Sequence, residues 1–264
     1  MRGPFIHPAA ILAGLAVLSA GCGAATTDDL ADNPAPRLKS TPQSLAFGRV
    51  PVGALARQAI RLENLGNAPT ASLAAGAQSN PDCRALLENQ AFCLQLPTEP
   101  LAPGESTEAW VIYHPQEQSV PQETTWSVGC GDQCQTIVSA RGSAVPQAVA
   151  ATEMLDFGRS HPGCTHTQTV SLNSEVDIDL EIGSIEIEAD APGIYRVQTD
   201  TLPSMLAARA QLNLPLTFVS RVGDLPGYLN VQFIAPGQGL TEDAVLSARV
   251  ALIGRGDTSD PPCD

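Results

Sequence analysis

The sequence predicts an all-β protein built from two tandem immunoglobulin-like antiparallel β-sandwiches. The pattern L-x-F-G-R-x-x-x-G occurs at residues 45–53 and again at 155–163, 110 positions later. A self-match at domain-sized spacing indicates duplication of one folding unit, and roughly 100 residues is the usual size of such a sandwich. The 264 residues also include 22 Gly and 22 Pro, a content that favours many turns over long helices.

The first unit is expected over residues 42–144 as short strands joined by tight turns. Leu45 and Phe47 lie two apart and therefore on one face of a strand, and the glycine that follows gives the backbone freedom to break it. Trp110 and Trp126 fall on strands, where aromatic side chains belong more often to the core than to a sugar-binding platform. The predicted strands are 44–50, 56–63, 106–113 and a hairpin of 124–128 with 135–140.

Four motifs in this unit occur in the order and spacing of a known family. They are P-x-x-L-x-F-G-x-V-x-V-G from Pro42, N-x-G-N-A-P from Asn64, L-A-P-G-E from Leu101, and an aromatic strand that ends at Tyr113 and Pro115. Together they resemble the ASH (abnormal spindle/Hydin) domains, and in bacteria the "choice-of-anchor D" modules. The resemblance implies an immunoglobulin-like, non-catalytic domain, which in bacteria is found on exported proteins.

The second unit, expected over residues 145–256, repeats the two ends of the first. An Arg-Gly pair closes each unit, and the first two strands match without a gap. The middle lacks both N-x-G-N-A-P and L-x-P-G-E, so its strand layout is left open. The closing pair of strands is expected at 228–234 and 244–253, and a short tail at 257–264.

Residues 1–21 have the pattern of a bacterial lipoprotein signal peptide. The apolar run at 9–20 is too short to span a bilayer, and it leads through Gly21 to Cys22. This segment resembles the lipoprotein box, in which the cysteine is lipidated and becomes the new N-terminus. The resemblance implies acyl chains, including palmitate, on Cys22. The alternative is an ordinary secretory signal with an incidental cysteine.

The residues after Cys22 bear on location. Gly23 stands where many inner-membrane lipoproteins carry Asp, so the resemblance favours the outer membrane, with the protein facing the periplasm or the cell surface. Residues 22–41 have no hydrophobic period. They are therefore expected to form a disordered tether after the lipidated cysteine.

An even number of cysteines follows Cys22, which in an exported chain predicts disulfide bonds. Cys130 and Cys134 flank the predicted hairpin turn and are expected to pair. Cys164 begins the second strand of its unit, and it is expected to meet Cys263 because the first and last strands of a sandwich end at the same pole. The remaining two lie ten residues apart in one loop of the first unit. The six candidates are Cys83, Cys93, Cys130, Cys134, Cys164 and Cys263.

His161, Cys164 and His166 form one weak candidate for a metal site. Zinc would need a free thiolate on Cys164 and a fourth ligand. If Cys164 is in a disulfide bond, the segment is instead a polar turn with two exposed histidines. The second interpretation, a polar turn, is favoured.

Residues 176–182 form another weak candidate, because Asp177, Asp179 and Glu181 alternate strictly with apolar residues. The pattern predicts a strand with three carboxylates on one face. Calcium requires oxygens that converge from a loop, whereas a strand spreads carboxylates ~7 Å apart. A solvated acidic face is therefore favoured, and no metal or other cofactor is expected.

Charge and motif content narrow the function. The net charge of −14 repels polyanions, so nucleic acid is not an expected partner, and membrane contact is expected through the lipid anchor only. The sequence contains no G-x-S-x-G, H-E-x-x-H, Walker or dinucleotide-binding motif, and an enzyme is not expected. A structural or protein-interaction module of the bacterial cell envelope is favoured, with a partner protein that the sequence does not identify. The alternative is a surface lipoprotein that binds a glycan or Ca²⁺.

Overall fold

A computed structural model of the chain is almost entirely β, which confirms the predicted all-β sandwich class. The structure describes residues 34–76, 79, 82–118, 121–131 and 134–263. Cys22 and the predicted signal peptide lie outside the described residues. From Ala35 onward the chain packs as one compact unit, so the division into domains at 42–144 and 145–256 stays a prediction.

The first repeat, residues 38–145, contributes two sheets. Its elements are β1 (Leu38–Thr41), β2 (Ser44–Pro51), β3 (Ala56–Asn64), α1 (Arg84–Leu87), β4 (Phe92–Gln95), β5 (Ser106–Tyr113), β6 (Gln122–Gly129) and β7 (Gln135–Val145). Sheet A has the strand order β1-β3-β5-β4 and is antiparallel. Sheet B has the order β2-β7-β6, with β2 parallel to β7 and β6 antiparallel to it.

The second repeat, residues 149–256, also contributes two sheets. Its elements are β8 (Val149–Ala151), β9 (Met154–Ser160), β10 (Thr165–Ser174), β11 (Leu180–Ala189), β12 (Tyr195–Val197), β13 (Met205–Leu206), β14 (Gln211–Val219), β15 (Gly223–Ala235) and β16 (Ala244–Gly256). Sheet C has the order β12-β14-β10-β8. Sheet D has the order β13-β11-β15-β16-β9, and β9 is parallel to β16.

The two repeats share one strand arrangement. Sheet C corresponds to sheet A strand for strand, and β9, β16 and β15 correspond to β2, β7 and β6. Strands β11 and β13 have no equivalent strand in the described part of the first repeat, and they extend sheet D beyond β15. This addition is the middle region whose layout the sequence left open.

The start of the folded region corrects the predicted tether. Strand β1 pairs with β3, and its Leu38 and Ser40 side chains are buried, although residues 22–41 were expected to be disordered. A strand of four residues is too short to produce a recognisable alternation in the sequence. Residues 38–41 therefore belong to the folded sheet and not to a disordered tether.

The expected disulfide bonds are present among the described residues. The pairs are Cys83–Cys93, Cys130–Cys134 and Cys164–Cys263. The last of these ties the C-terminal tail to the loop before β10. Because the two cysteines are 99 residues apart in the sequence, this bond restricts a large loop of the unfolded chain.

An aromatic cluster joins the two sheets of each repeat. In the first repeat the Phe47 ring centroid lies 5.6 Å from that of Tyr113 and 6.1 Å from that of Phe92. In the second, Phe157 lies 5.3 Å from Phe218 on β14 and also contacts an aromatic residue of β12. The duplicated Phe of L-x-F-G-R is therefore a core residue in both repeats.

The two tryptophans differ in environment. Trp126 is 2% exposed and lies in the core, as predicted. Trp110 is half-buried, and the guanidinium carbon of Arg57 lies 4.2 Å from its ring centroid. A cation held over an aromatic ring is stabilised by the ring's quadrupole. Trp110 is therefore not a core residue, which corrects the prediction for this position.

A glycine lies beneath an aromatic ring at equivalent places in β7 and β16. A Cβ atom on Gly142 would lie 2.4 Å from the ring of Tyr113, and a Cβ on Gly254 would lie 2.4 Å from the ring of Phe218. Both aromatic rings are fully buried. The missing side chain therefore leaves room for the ring that joins the two sheets.

Replacing either glycine with alanine is expected to destabilise the protein. We expect Gly142→Ala and Gly254→Ala each to lower the free energy of unfolding by about 1–3 kcal/mol, the usual range for overpacking a core. Urea denaturation followed by circular dichroism measures the loss. Ser247→Ala, at an exposed position of β16, serves as control with a change of less than about 0.5 kcal/mol. Wild-type stability in both glycine variants would contradict the packing argument.

Candidate functional site

The two repeats are joined by contacts around Gly48 and Asp177. The Arg49 N–H donates to the Asp177 Oδ2 at 2.5 Å, and the Asp177 N–H donates to the Arg49 carbonyl oxygen at 2.8 Å. A Cβ atom on Gly48 would lie 2.1 Å from the same Oδ2. The carboxylate of the second repeat thus occupies the space that a side chain at residue 48 would fill.

Arg209 completes the contacts of the Asp177 carboxylate. Its Nε donates to Oδ1 at 2.6 Å and its Nη2 donates to Oδ2 at 2.8 Å, a two-point arrangement that matches carboxylate geometry. The hydrogen bonds from the Arg209 guanidinium hold the pKa of Asp177 below its ordinary value, and the Arg49 N–H acts in the same direction. Asp177 is therefore ionised over the physiological pH range.

Three further contacts hold the repeats together. The Arg49 Nη1 donates to the Glu175 Oε2 at 2.9 Å. On the other side, the Arg84 Nη2 donates to the Gly239 carbonyl oxygen at 2.8 Å, and Leu240 packs against the buried cluster that contains Leu87. The loop between β15 and β16 is thus in contact with α1 of the first repeat.

A cleft of about 410 Å³ lies between the repeats beside Asp177. We call it the junction cleft. Arg57 lines it on one side while resting on Trp110, and Met205, 46% exposed, lines it on the other. The first repeat therefore contributes a guanidinium to the cleft, the second contributes two carboxylates, and both contribute apolar side chains. The residues that define it are Phe47, Leu55, Ala56, Arg57, Gln58, Asp177, Ile178, Asp179, Met205, Pro236 and Gln238.

A second cavity, of about 680 Å³, lies between α1 and the loop that connects β15 and β16. His114 lines it and is buried, with its Nε2 3.1 Å from the Gly53 carbonyl oxygen and its Nδ1 2.6 Å from the Gln116 Nε2. The imidazole, which directly follows β5, thus contacts the backbone of the loop after β2 and the side-chain amide of Gln116. These contacts give His114 a role in fixing local structure.

The weak zinc candidate does not provide the ligands that zinc requires. Cys164 is bonded to Cys263 and has no thiolate to offer. His161 contacts the carbonyl oxygen of Pro162 through its Nδ1. The His166 ring lies with its centroid 6.4 Å from that of Phe218.

The strand predicted at 176–182, which carried the weak calcium candidate, is wrong for residues 176–179. Residues 176–178 form a bend and β11 begins at Leu180. The Asp177 N–H donates to the carbonyl oxygen of Arg49 on β2 of the first repeat. The Asp177 carboxylate is paired with an arginine, and the Asp179 Oδ1 accepts from the Ala208 N–H at 2.8 Å. Glu181 lies on the exposed face of β11. Over the described residues, no group of three or more His, Cys, Asp and Glu side chains could hold a metal ion.

Sequence reasoning missed the residues that build the junction. Asp177 was noted as a carboxylate, but Arg209 and Glu175 carried no local signal of a partner. The one junction residue that a sequence motif singles out is Arg49. It follows Gly48 in the first copy of the motif as Arg159 follows Gly158 in the second. The two motif arginines bond to different groups, since Arg159 bonds to Asp257 in the C-terminal tail.

Comparisons with known proteins give only distant structural likenesses. No family model and no curated protein matches the sequence. An ASH/PapD-like domain of human CEP192 aligns with 43% of this chain and 88% of its own length, at 14% identity and a TM-score of 0.33. A Porphyromonas gingivalis W83 protein of unknown function aligns over 83% and 99%, at 11% identity and a TM-score of 0.30. The YadV chaperone aligns over 81% and 99%, at 11% identity and a TM-score of 0.28.

At these TM-scores the likenesses carry no argument about function. The narrower assignment to bacterial "choice-of-anchor D" modules stays a prediction. Within the described residues, no helix is long and apolar enough to cross a bilayer. The function is therefore best argued from the junction and its cleft.

The junction contact distinguishes two glycines that share a motif position. Gly48 and Gly158 both have positive φ, 65° and 73°, so alanine costs about 1 kcal/mol of backbone strain at either one. Only the Cβ at residue 48 meets Asp177, whereas the Cβ at residue 158 meets nothing within 4 Å. We expect Gly48→Ala to lower the free energy of unfolding by about 1–2 kcal/mol more than Gly158→Ala, as measured by urea denaturation.

A double-mutant cycle provides the control for this comparison. In an Asp177→Ala background the costs of the two glycine substitutions should come much closer together, because the carboxylate is gone and only the residue 177 Cβ, 3.0 Å from the new Cβ, remains. Equal costs for Gly48→Ala and Gly158→Ala in the wild-type background would show that the contact does not matter for stability.

Proposed function

We propose that the chain is a non-catalytic, exported lipoprotein that acts as a protein-interaction module at the bacterial cell envelope. In this proposal a partner protein docks in the junction cleft. The observation that carries the proposal is the make-up of that cleft, in which Arg57 and Met205 from different repeats line one opening.

The side chains of the junction cleft are of the types that protein interfaces favour. Arginine, methionine and aromatic residues are enriched at the centre of such interfaces, and a few of them carry most of the binding energy. Arg57 is held over Trp110 at 4.2 Å, so little side-chain entropy is lost when a partner covers it. Met205 offers an adaptable apolar contact.

The contacts around Asp177 support the same proposal, because they hold the two sides of the cleft in a fixed relation. Asp177 itself is bonded to Arg49 of the first repeat and Arg209 of the second. A preformed cleft does not spend binding free energy on ordering its walls. Of the two acids that line the cleft, Asp177 is already paired with Arg209, so Asp179 is the carboxylate that favours a basic group of a partner segment.

Export is supported by the cysteines and by the charge. Disulfide bonds persist in oxidising compartments such as the periplasm and the cell surface, and all six cysteines after Cys22 are bonded. The signal pattern before Cys22 and the net charge of −14 fit a soluble body held at a membrane by acyl chains.

Site-specific photocrosslinking tests the docking surface. With p-benzoylphenylalanine in place of Met205, we expect one crosslinked species of defined mass in the native cell, because residue 205 lines the junction cleft. Its yield should fall at least about tenfold when Arg57 is also replaced by Ala, the effect of losing an interface anchor. Immunoblotting and mass spectrometry measure the product and identify the partner.

The matched control places the same crosslinker at Val222. This side chain is 69% exposed and belongs to the same repeat, but it does not line the cleft. A product of equal yield at residues 205 and 222, or no product at 205, would contradict docking in the junction cleft.

Metabolic labelling tests the anchor. We expect the protein to incorporate labelled palmitate, and Cys22→Ala to abolish the label, because the cysteine thiol carries the acyl chain in the proposed pathway. Ser19→Ala leaves Cys22 in place and should retain the label. Normal labelling of Cys22→Ala would refute the lipid anchor while leaving the docking surface to be judged by crosslinking.

A further inference from the structure

Strand β6 lies at the edge of sheet B. Its hydrogen bonds to Ala74 show which of its backbone groups point away from β7. The Gly129 N–H donates to the Ala74 carbonyl oxygen at 2.8 Å, and the Ala74 N–H donates to the Gly129 carbonyl oxygen at 2.9 Å. The backbone groups of Gly129 therefore point away from β7. Because direction alternates along a strand, the N–H and C=O groups of Ser127, Thr125 and Glu123 point outward as well.

The second repeat shows how the same edge is filled. Strand β15, which corresponds to β6, is paired antiparallel with β11 from Gly227 to Ile234. In the first repeat the segment that makes the equivalent approach is 71–76 and 79 in the described part of the chain, and there it pairs with β6 at Ala74 alone. It then turns at Gly76, whose φ is 71°, and Ser79 bridges to Leu94 of sheet A. Among the described residues, no strand pairs with the outer edge of β6 from Gln122 to Val128.

The composition of β6 does not discourage pairing. Native edge strands are commonly protected by lysine, proline or inward-facing charge, whereas the eight residues of β6 contain one charged group, Glu123. That residue stands opposite Arg141 on β7, so its charge is locally balanced. Thr125, Trp126 and Val128 are residue types that favour strands.

We propose that two copies of this chain associate through β6, antiparallel, with a two-fold axis at Thr125. In this register Thr125 faces Thr125 of the second copy, and Glu123 faces Ser127. Each of these outward residues exchanges N–H···O=C bonds with the residue opposite it. No like charges meet, and the contact is self-complementary as a two-fold interface requires. Sheet B then continues from one copy into the other.

Crosslinking through one introduced cysteine, in the full chain at the membrane, tests the register. Opposite residues on such a pair are about 5.5 Å apart between Cα atoms, so Thr125→Cys should be joined to its own copy by a short bismaleimide. Glu123→Cys is the matched control on the same strand. Its two copies would lie about 14 Å apart, at ~3.4 Å per residue, and should not be linked. Mixing Glu123→Cys with Ser127→Cys chains should restore the crosslink.

A proline variant separates pairing from folding. The outward N–H of Ser127 is not needed for the β6–β7 ladder, so Ser127→Pro is compatible with an edge strand and should leave thermal unfolding nearly unchanged. In the Thr125→Cys background it should reduce crosslinking at least tenfold. Absence of a crosslink at Thr125→Cys, or equal crosslinking at residues 123 and 125, would overturn the proposal. A crosslink instead to a different protein would assign the edge to a foreign strand and overturn it equally.

Discussion

Each repeat depends on one aromatic side chain that reaches from its first long strand into the facing sheet. Phe47 contacts Tyr113 and Phe92, and the space for Tyr113 exists because Gly142 has no side chain. Burial raises the pKa of Tyr113 to about 12, so its hydroxyl stays protonated at the edge of the core. Aromatic groups dominate the packing free energy of a core, and here they also set the spacing of the two sheets.

The junction between the repeats adds a polar constraint to this apolar one. Asp177 stands close to a glycine, accepts from a backbone N–H and is paired with Arg209. The pair is partly exposed to solvent, so the ion pair by itself adds little to stability. The relative position of the repeats, and with it the shape of the junction cleft, therefore also depends on the Arg84–Gly239 hydrogen bond and on the packing of Leu240.

How far the sequence could predict the structure differs between the core and the junction. Alternation identified Leu45, Phe47 and most strands correctly, because burial on one face leaves a period of two in the sequence. The same rule misassigned residues 176–179, where Asp177 follows the alternation but bonds across to Arg49. The hydrogen bonds that join the two repeats link residues more than 100 positions apart, and no local pattern encodes them. That β6 is the last strand of sheet B among the described residues could not be predicted either, since it depends on the path of a different segment, the one after Ala74.

The rerouted segment after Ala74 links the junction to that edge. In the second repeat the equivalent chain remains in its sheet as β11. In the first it leaves sheet B at Gly76 and continues into α1 and the Cys83–Cys93 bond. There Leu87 and the disulfide form the apolar cluster against which Leu240 of the second repeat packs. Among the described residues, the segment that follows Ala74 therefore contributes to the contact with the second repeat and does not pair along β6 as β11 pairs along β15.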